Sequence, residues 1–263
     1  MKRDSSTEES PLVERYKFTI SYNGTAFSGF QRQGTARTVQ LELENALRKL
    51  GWKEESIVGA GRTDSGVHAH AQAANFFSPS DSIPEENYIR ALNGLLPPDV
   101  RVMDAKKVPE DFNSRLSATS RAYRYFMHTS FPEARDMRYV WRIKRRPDVE
   151  VLNKMCSCLS GEIDCATFAA AGDQSLSTHR YIEKAGFRYE GDILVFEIEA
   201  NAFLWKMVRS ITGTLIQMEQ KGQTPEDFRN VLESRDRKLA GMTAPPTGLF
   251  LWEVKFDGVR RHK

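Results

Sequence analysis

Between residues 16 and 108 the spacing of apolar residues switches from a period of two to one of about 3.6 and back again. That switching limits what the chain can fold into more than any other feature. "YKFTISY" sets Phe18, Ile20 and Tyr22 on one face and Lys17, Thr19 and Ser21 on the other, then meets a turn at Asn23-Gly24, so it reads as a half-buried strand. "TVQLELENALRKLG" opens on a capping Thr38, spaces Val39, Leu43, Ala46, Leu47 and Leu50 along one helical face and stops at Gly51. Strand-like runs follow over 57–60 and 67–77, a helix is predicted over 84–95 ahead of Pro97-Pro98, and "VRVMDAKKV" is a further strand. The order is β-α-β-β-α-β.

The second half resembles the first loosely. It predicts a helix over 149–159, a hairpin of "HRYIEKAGFRYE" and "DILVFEIEA" across Gly191-Asp192, helices over 203–219 and 224–234, and a closing strand "LFLWEVKF". The fold class is therefore α+β: two α/β lobes with mainly antiparallel sheets, covering 12–110 and 111–263, joined near 108–118, with a cleft between them. A chain of 263 residues with 40% apolar content buries an adequate core for this. No short-period repeat supports a solenoid. Residues 1–11 read as a disordered tail.

The start, MKRDSSTEES, has neither the apolar stretch of a signal peptide nor an Arg-rich amphipathic pattern, and no run of eighteen apolar residues occurs. The expected location is cytoplasmic, with no membrane partner. Cys156, Cys158 and Cys165 are odd in number and have no His at zinc spacing, which predicts reduced structural thiols. His68 and His70 point to one face of a strand with no third ligand nearby, so no metal site is expected.

A net charge of +3 names no partner, but its distribution does. From 115 to 146 there are nine basic residues (Arg115, Arg121, Arg124, Arg135, Arg138, Arg142, Lys144, Arg145 and Arg146) against Glu133 and Asp136, a local +7. Tyr123, Tyr125, Phe126, Phe131, Tyr139 and Trp141 are interleaved with them, a composition suited to a polyanion that also offers faces for stacking. A solvated basic face is the bland alternative.

"GAGRTDSGVHAH" (59–70) concentrates restrictive turn chemistry around one carboxylate. Gly59, Gly61 and Gly66 permit close approaches to the main chain. Arg62 and Asp64 alternate, so in an extended segment both side chains point the same way, a guanidinium beside a carboxylate; a loop-stabilising ion pair reads the same. The "TDSG" within it contains the D-[ST]-G of aspartic proteases. Those enzymes need two such carboxylates, and Arg62 and Thr63 stand where apolar residues should precede the acid, which sets that reading aside.

"YNGTAFSGFQRQ", "GAGRTDSGVHAHAQ", "ALNGLLPPDV", "FNSRLSATSRAYRY", "NAFLWKMVRSITG" and "TGLFLW" occur in this order. Together they closely resemble the tRNA pseudouridine synthase A family of bacterial type, across nearly all of 16–257, and the G-R-T-D-x-G-V-H-A block is the most specific of them. The chain departs from the usual pattern at Asn23 (usually Asp), Phe30 (Trp), Ser65 (Ala) and Asn113 (often His), none of them a catalytic match.

The resemblance implies a fold of two RRM- or ferredoxin-like halves around a central cleft, and a cofactor-free isomerase acting on the anticodon arm of tRNA as a homodimer. Asp64 matches the catalytic aspartate, Arg209 the arginine that pairs with it, and Tyr123 the tyrosine that stacks on the target base and handles its C5 proton. Arg62 matches an arginine that swings the nucleotide out, and Leu249 an apolar residue packed under it. Arg115, Arg142 and Arg145 are expected substrate contacts from the basic stretch. On the predicted helix Leu204, Met207, Val208, Ile211 and Leu215 form the core stripe, and Arg209 lies opposite with Trp205, Gly213 and Ile216. A non-catalytic RNA-binding protein is the alternative, although no aromatic RNP1 pattern is present.

Overall fold

Strand β1 (Arg15–Tyr22) buries Tyr16, Phe18, Ile20 and Tyr22 and leaves the residues between them half covered, as its alternation dictates. In the computed structural model, which describes residues 14–78 and 83–261, this strand lies between two others. The tail expected over 1–11 lies outside the described residues. Helix α1 (Val39–Lys49) starts where Thr38 accepts a hydrogen bond from the Leu41 amide at 3.3 Å, and buries Val39, Leu43, Ala46 and Leu47. After β2 (Val58–Gly59) come β3 (His68–Phe77), α2 (Glu85–Leu95) and β4 (Val100–Val108). Phe18 of β1 sits opposite Ala74 of β3 and Ala105 of β4, both pairings antiparallel.

The second half supplies β5 (Ser120–His128), β6 (Trp141–Arg142), α3 (Val149–Cys156), β7 (Gly161–Asp164), β8 (His179–Glu190) and β9 (Ile193–Ala200). Helices α4 (Met207–Gln220) and α5 (Pro225–Glu233) and strand β10 (Leu249–Lys255) complete it. Helix α5 opens with a capping box, Thr224 and Asp227 bonding each other's amides, followed by Pro225 in the first turn.

The α+β class and the mainly antiparallel pairing are as expected, but the two half-sheets are not separate. They are the flanks of one sheet in the order β4-β1-β3-β10-β5-β9-β8-β7. The closing strand β10 is the joint: it runs parallel to β3, Phe250 beside His68, and antiparallel to β5, Leu249 beside Tyr125. A period-two pattern names the two faces of a strand and leaves its neighbours unspecified, so the sequence did not reveal this join.

On one face of the join His68 stacks on Phe250 at 4.6 Å and His70 on Trp252 at 4.3 Å, so both imidazoles lie against aromatic rings of the adjacent strand. The three cysteines are free thiols; burial pushes Cys156 far up and Cys165 up to about 12. Among the described residues no helix is long and apolar enough to cross a membrane.

Helix α4 begins at Met207, later than its periodicity predicts, because Lys206 takes a left-handed conformation at φ 59° and turns the chain just before the first helical residue. Nor does α4 carry a narrow core stripe. Gly213 and Ile216, expected on the far side with Arg209, are buried along with Met207, Ile211 and Leu215.

Candidate active site

Asp64 stands in the turn between β2 and β3, closed by the Val67 amide donating to the Asp64 carbonyl at 3.1 Å. Arg62 is not paired with Asp64, whose carboxylate is met by Arg209. Arg62 is exposed, and its Nη1 reaches Gln31 Oε1 at 3.4 Å instead. The turn is clasped from two sides. Phe30 donates to the Thr63 carbonyl, Gly66 to that of Phe27, and the Tyr22 hydroxyl meets Thr63 Oγ1 at 2.8 Å. Gly66, at φ +79°, is the glycine the turn requires: a Cβ there would be strained and would meet the Pro246 ring at 2.9 Å. By contrast Gly61 faces open space, so the close approach its sequence context suggested does not occur there.

The carboxylate receives two donors from the other half of the chain. Arg209 Nη1 lies 2.9 Å from Asp64 Oδ2, and the indole Nε1 of Trp205 donates to Oδ1 at 3.1 Å. The Asp64 and Arg209 side chains are 21% and 14% exposed, so the pair sits at the edge of the interior, open to solvent on one side. Arg209 is itself held: its Nε donates to the Ala244 carbonyl at 2.8 Å, and the Ala244 amide returns a bond to the Arg209 carbonyl at 3.0 Å. Trp205, assigned by periodicity to the same helical face as Arg209, lies before the helix. It reaches the acid through the Lys206 turn.

Tyr123, on β5 opposite Leu251, is 9% exposed and packs edge-on against Phe203 at 5.1 Å. Burial and then the negative charge of Asp64 hold its phenol well above the ordinary tyrosine range, so it is a neutral ring and hydroxyl at working pH. Leu249 is buried on the neighbouring strand, and Tyr125 behind it donates its hydroxyl to the Pro245 carbonyl. Residues 242–249 therefore touch α4, the Asp64 turn and β5 together.

That segment gives a direct prediction. In an ordinary helix interior Gly→Ala gains about 1 kcal/mol. At Gly213 the new Cβ would fall 1.9 Å from the Met242 carbonyl oxygen, a backbone atom. Gly213→Ala is expected to lose on the order of 2 kcal/mol in denaturant melts and to lower turnover, because the displaced segment before β10 holds Arg209 through Ala244.

The basic stretch is partly spent on the fold. Arg121 is buried and donates to the carbonyls of Ala60, Arg115, Ala118 and Asn201, pinning the approach to the Asp64 turn against the approach to α4. Arg124 pairs with Glu197 at 2.8 Å and Arg135 with Glu133 at 3.1 Å. Arg145, expected to face phosphate, is held instead by the buried Glu219 at 3.0 Å. Arg146 lies 3.8 Å from Asp192. Arg115, Arg138, Arg142 and Lys144 have no carboxylate within 4 Å among the described residues. Arg142 lies over the exposed ring of Phe131 at 3.8 Å.

The backbone at Arg138 is tied to the start of β3 through His68, whose Nδ1 accepts from the Gly24 amide and whose Nε2 faces the Arg138 carbonyl, both at 3.0 Å. Burial pushes this imidazole down to about 4, which makes it neutral, with Nε2 carrying the proton. The departures at Asn23 and Ser65 are absorbed locally: Asn23 caps a short turn and donates to the Tyr139 hydroxyl, and Ser65 Oγ bonds the Phe27 carbonyl. The signal that sequence reading missed was Trp205. It sits in a segment that scans as helix, and only the Lys206 turn directs it at Asp64.

The site thus joins a carboxylate, an arginine from the other half of one continuous sheet and a neutral buried tyrosine, and the class of protein that carries this fold is pseudouridine synthase, as the family match shows. Residues 19–116 and 155–257 match the family model described as tRNA pseudouridine synthase, spans that take in Asp64, Trp205, Arg209 and Leu249 and leave Tyr123 between them. The chain is 53% identical over 246 residues to a protein named tRNA pseudouridine synthase A from Treponema denticola, covering 90% of this chain and 91% of that one. It is 44% identical over 235 residues to the protein of that name from Treponema pallidum, with 87% and 84% covered. It is also 38% identical over 243 residues to tRNA pseudouridine synthase A 2 from Clostridium perfringens, with 92% and 99% covered. This chain belongs to the tRNA pseudouridine synthase family.

Proposed function

We propose that the chain isomerises uridine to pseudouridine in the anticodon arm of tRNA, on its 3′ side, with Asp64 as the catalytic carboxylate and no cofactor. The reaction breaks the N1–C1′ bond of one nucleotide, turns the detached uracil, joins C5 to C1′ and moves the C5 proton to N1. Composition is unchanged, so no oxidant, reductant or group donor enters the balance. Asp64 either bonds C1′ directly or takes a ribose proton to form a glycal; both need an ionised carboxylate aimed at the sugar with water kept away. Arg209 stabilises that charge. Tyr123 stacks on the uracil and, being neutral, accepts the C5 proton only by passing on its own. Leu249 packs beneath the base.

The target must leave its stack, which costs on the order of a few kcal/mol. In this reading the cations without carboxylate partners, Arg115, Arg138, Arg142 and Lys144, hold the phosphates and offset that cost. Arg62 meets the everted nucleotide, and Arg145 contributes from the margin of the surface. The protein acts in the cytoplasm as a homodimer. The single observation that carries the reading is the Asp64–Arg209 pair, largely buried but open to solvent on one side. Incubation with an unmodified tRNA transcript, without ATP, metal or nicotinamide, should leave the mass of the RNA unchanged and create a carbodiimide-reactive base on the 3′ side of the anticodon arm. Tight binding of an RNA that stays unmodified would favour the non-catalytic RNA-binding alternative.

A further inference from the structure

We infer that Trp205 is a positioning residue for the reacting carboxylate, held in place by the loop that carries Asp173. This rests on the reading of Asp64 as the catalytic acid. The observation behind it is an indole in a place packing does not explain: Trp205 is 47% exposed, yet its one polar atom meets Asp64 Oδ1 at 3.1 Å. Arg209 grips only the other oxygen, Oδ2, and a carboxylate held at one oxygen is free to pivot about that bond. The indole N–H fixes the second oxygen and so sets the plane in which the acid faces an incoming ribose. Hydrogen bonds to an ionised acceptor are the strong class.

The support behind the indole is built for this purpose. The Trp205 amide donates to Asp173 Oδ2, and the Trp205 carbonyl accepts from the Ala170 amide at 3.0 Å, so both backbone groups of the residue are tied to one loop. Gly172 of that loop borders the indole, since a Cβ built on it would come 3.8 Å from Cζ3 of the six-membered ring, and the Lys206 ammonium sits 4.5 Å over the ring. The left-handed conformation of Lys206 aims residue 205 back at the acid while residue 207 enters the helix. Such a conformation in a residue other than glycine persists only where the surroundings impose it. Burial works to raise the Asp173 carboxyl, but the bonds from the Trp205 and Ser175 amides outweigh it and hold it below the usual range, so the strut stays charged.

The test uses the full-length enzyme and an unmodified tRNA transcript. Trp205→Phe keeps a ring and removes the donor, and is expected to lower kcat about ten- to hundredfold with KM within about threefold. Trp205→His restores a ring N–H and should regain most of that loss. Asp173→Ala, which loosens the strut without touching the acid, should lower kcat in the same direction with KM unchanged. A Trp205→Phe enzyme with full kcat overturns the inference, as does one whose loss appears only in KM, because then the indole merely packs against RNA. Asp64→Asn assayed in parallel separates the two levels. If it is inactive while Trp205→Phe is unimpaired, the catalytic reading stands and the positioning role falls; if it turns over normally, both fall.

Discussion

Asp64→Asn is expected to abolish turnover, a fall in kcat of at least about 10⁴-fold, while tRNA affinity stays within about threefold of the parent. The change replaces one oxygen by an amide of nearly the same shape, so the surfaces that hold RNA are untouched. It removes the negative charge toward which Arg209 and Trp205 both point. Because both neighbours donate, one of them must then face the new NH₂ group, which has nothing to accept with. The site is partly open to solvent, so the resulting loss of stability should stay near the low end for an unsatisfied donor, about 1 kcal/mol. Single-turnover rates and filter binding on one preparation check the two halves of the result. Normal chemistry in the bound fraction, or loss of binding with no loss of rate per bound complex, would remove Asp64 from the role assigned to it.

The second large effect is expected at Arg209. The guanidinium does two things at once, reaching Asp64 through Nη1 and the Ala244 carbonyl through Nε. A lysine carries charge on a single nitrogen and cannot span both partners, so the conservative replacement is not conservative here. Arg209→Lys should lower kcat about a hundredfold and Arg209→Ala about a thousandfold, with the melting temperature little changed in the lysine variant. At 2.9 Å and an effective dielectric near 20, the pair attracts by a few kcal/mol before solvation costs are counted, which is the range these losses require. If Arg209→Lys kept full activity, charge alone would suffice and the Ala244 contact would have no catalytic consequence.

Much of this architecture was legible in the sequence. The alternation in β1, the Thr38 cap of α1 and the turn at Gly191 are local signals, and each produced the element it predicted. The family resemblance rests on short blocks in a fixed order, and those blocks name Asp64, Tyr123, Arg209 and Leu249. Two side chains are not where spacing put them. Arg62 alternates with Asp64 but does not pair with it, and Trp205 falls before the helix because Lys206 turns the chain, a single residue with unusual backbone angles that periodicity has no means of reporting. The basic stretch failed differently. Composition counted nine cations, but the fold buries Arg121 and pairs Arg124, Arg135, Arg145 and Arg146 with carboxylates, all but Arg135 with acids far away in the chain.

The sequence by itself determined the α+β class, the order of most elements, and which carboxylate and which guanidinium match the family's motifs, since these follow from local spacing and from blocks a few residues long. Only the tertiary structure decided that β10 welds the two half-sheets into one, that Trp205 is the second donor to Asp64, and that a handful of the many cations remain unpaired. The first two depend on contacts between residues more than a hundred positions apart, and the pairing of most of the cations on acids tens of positions away, where the entropy of closing the chain is overcome by the whole core acting together and no local pattern records the result.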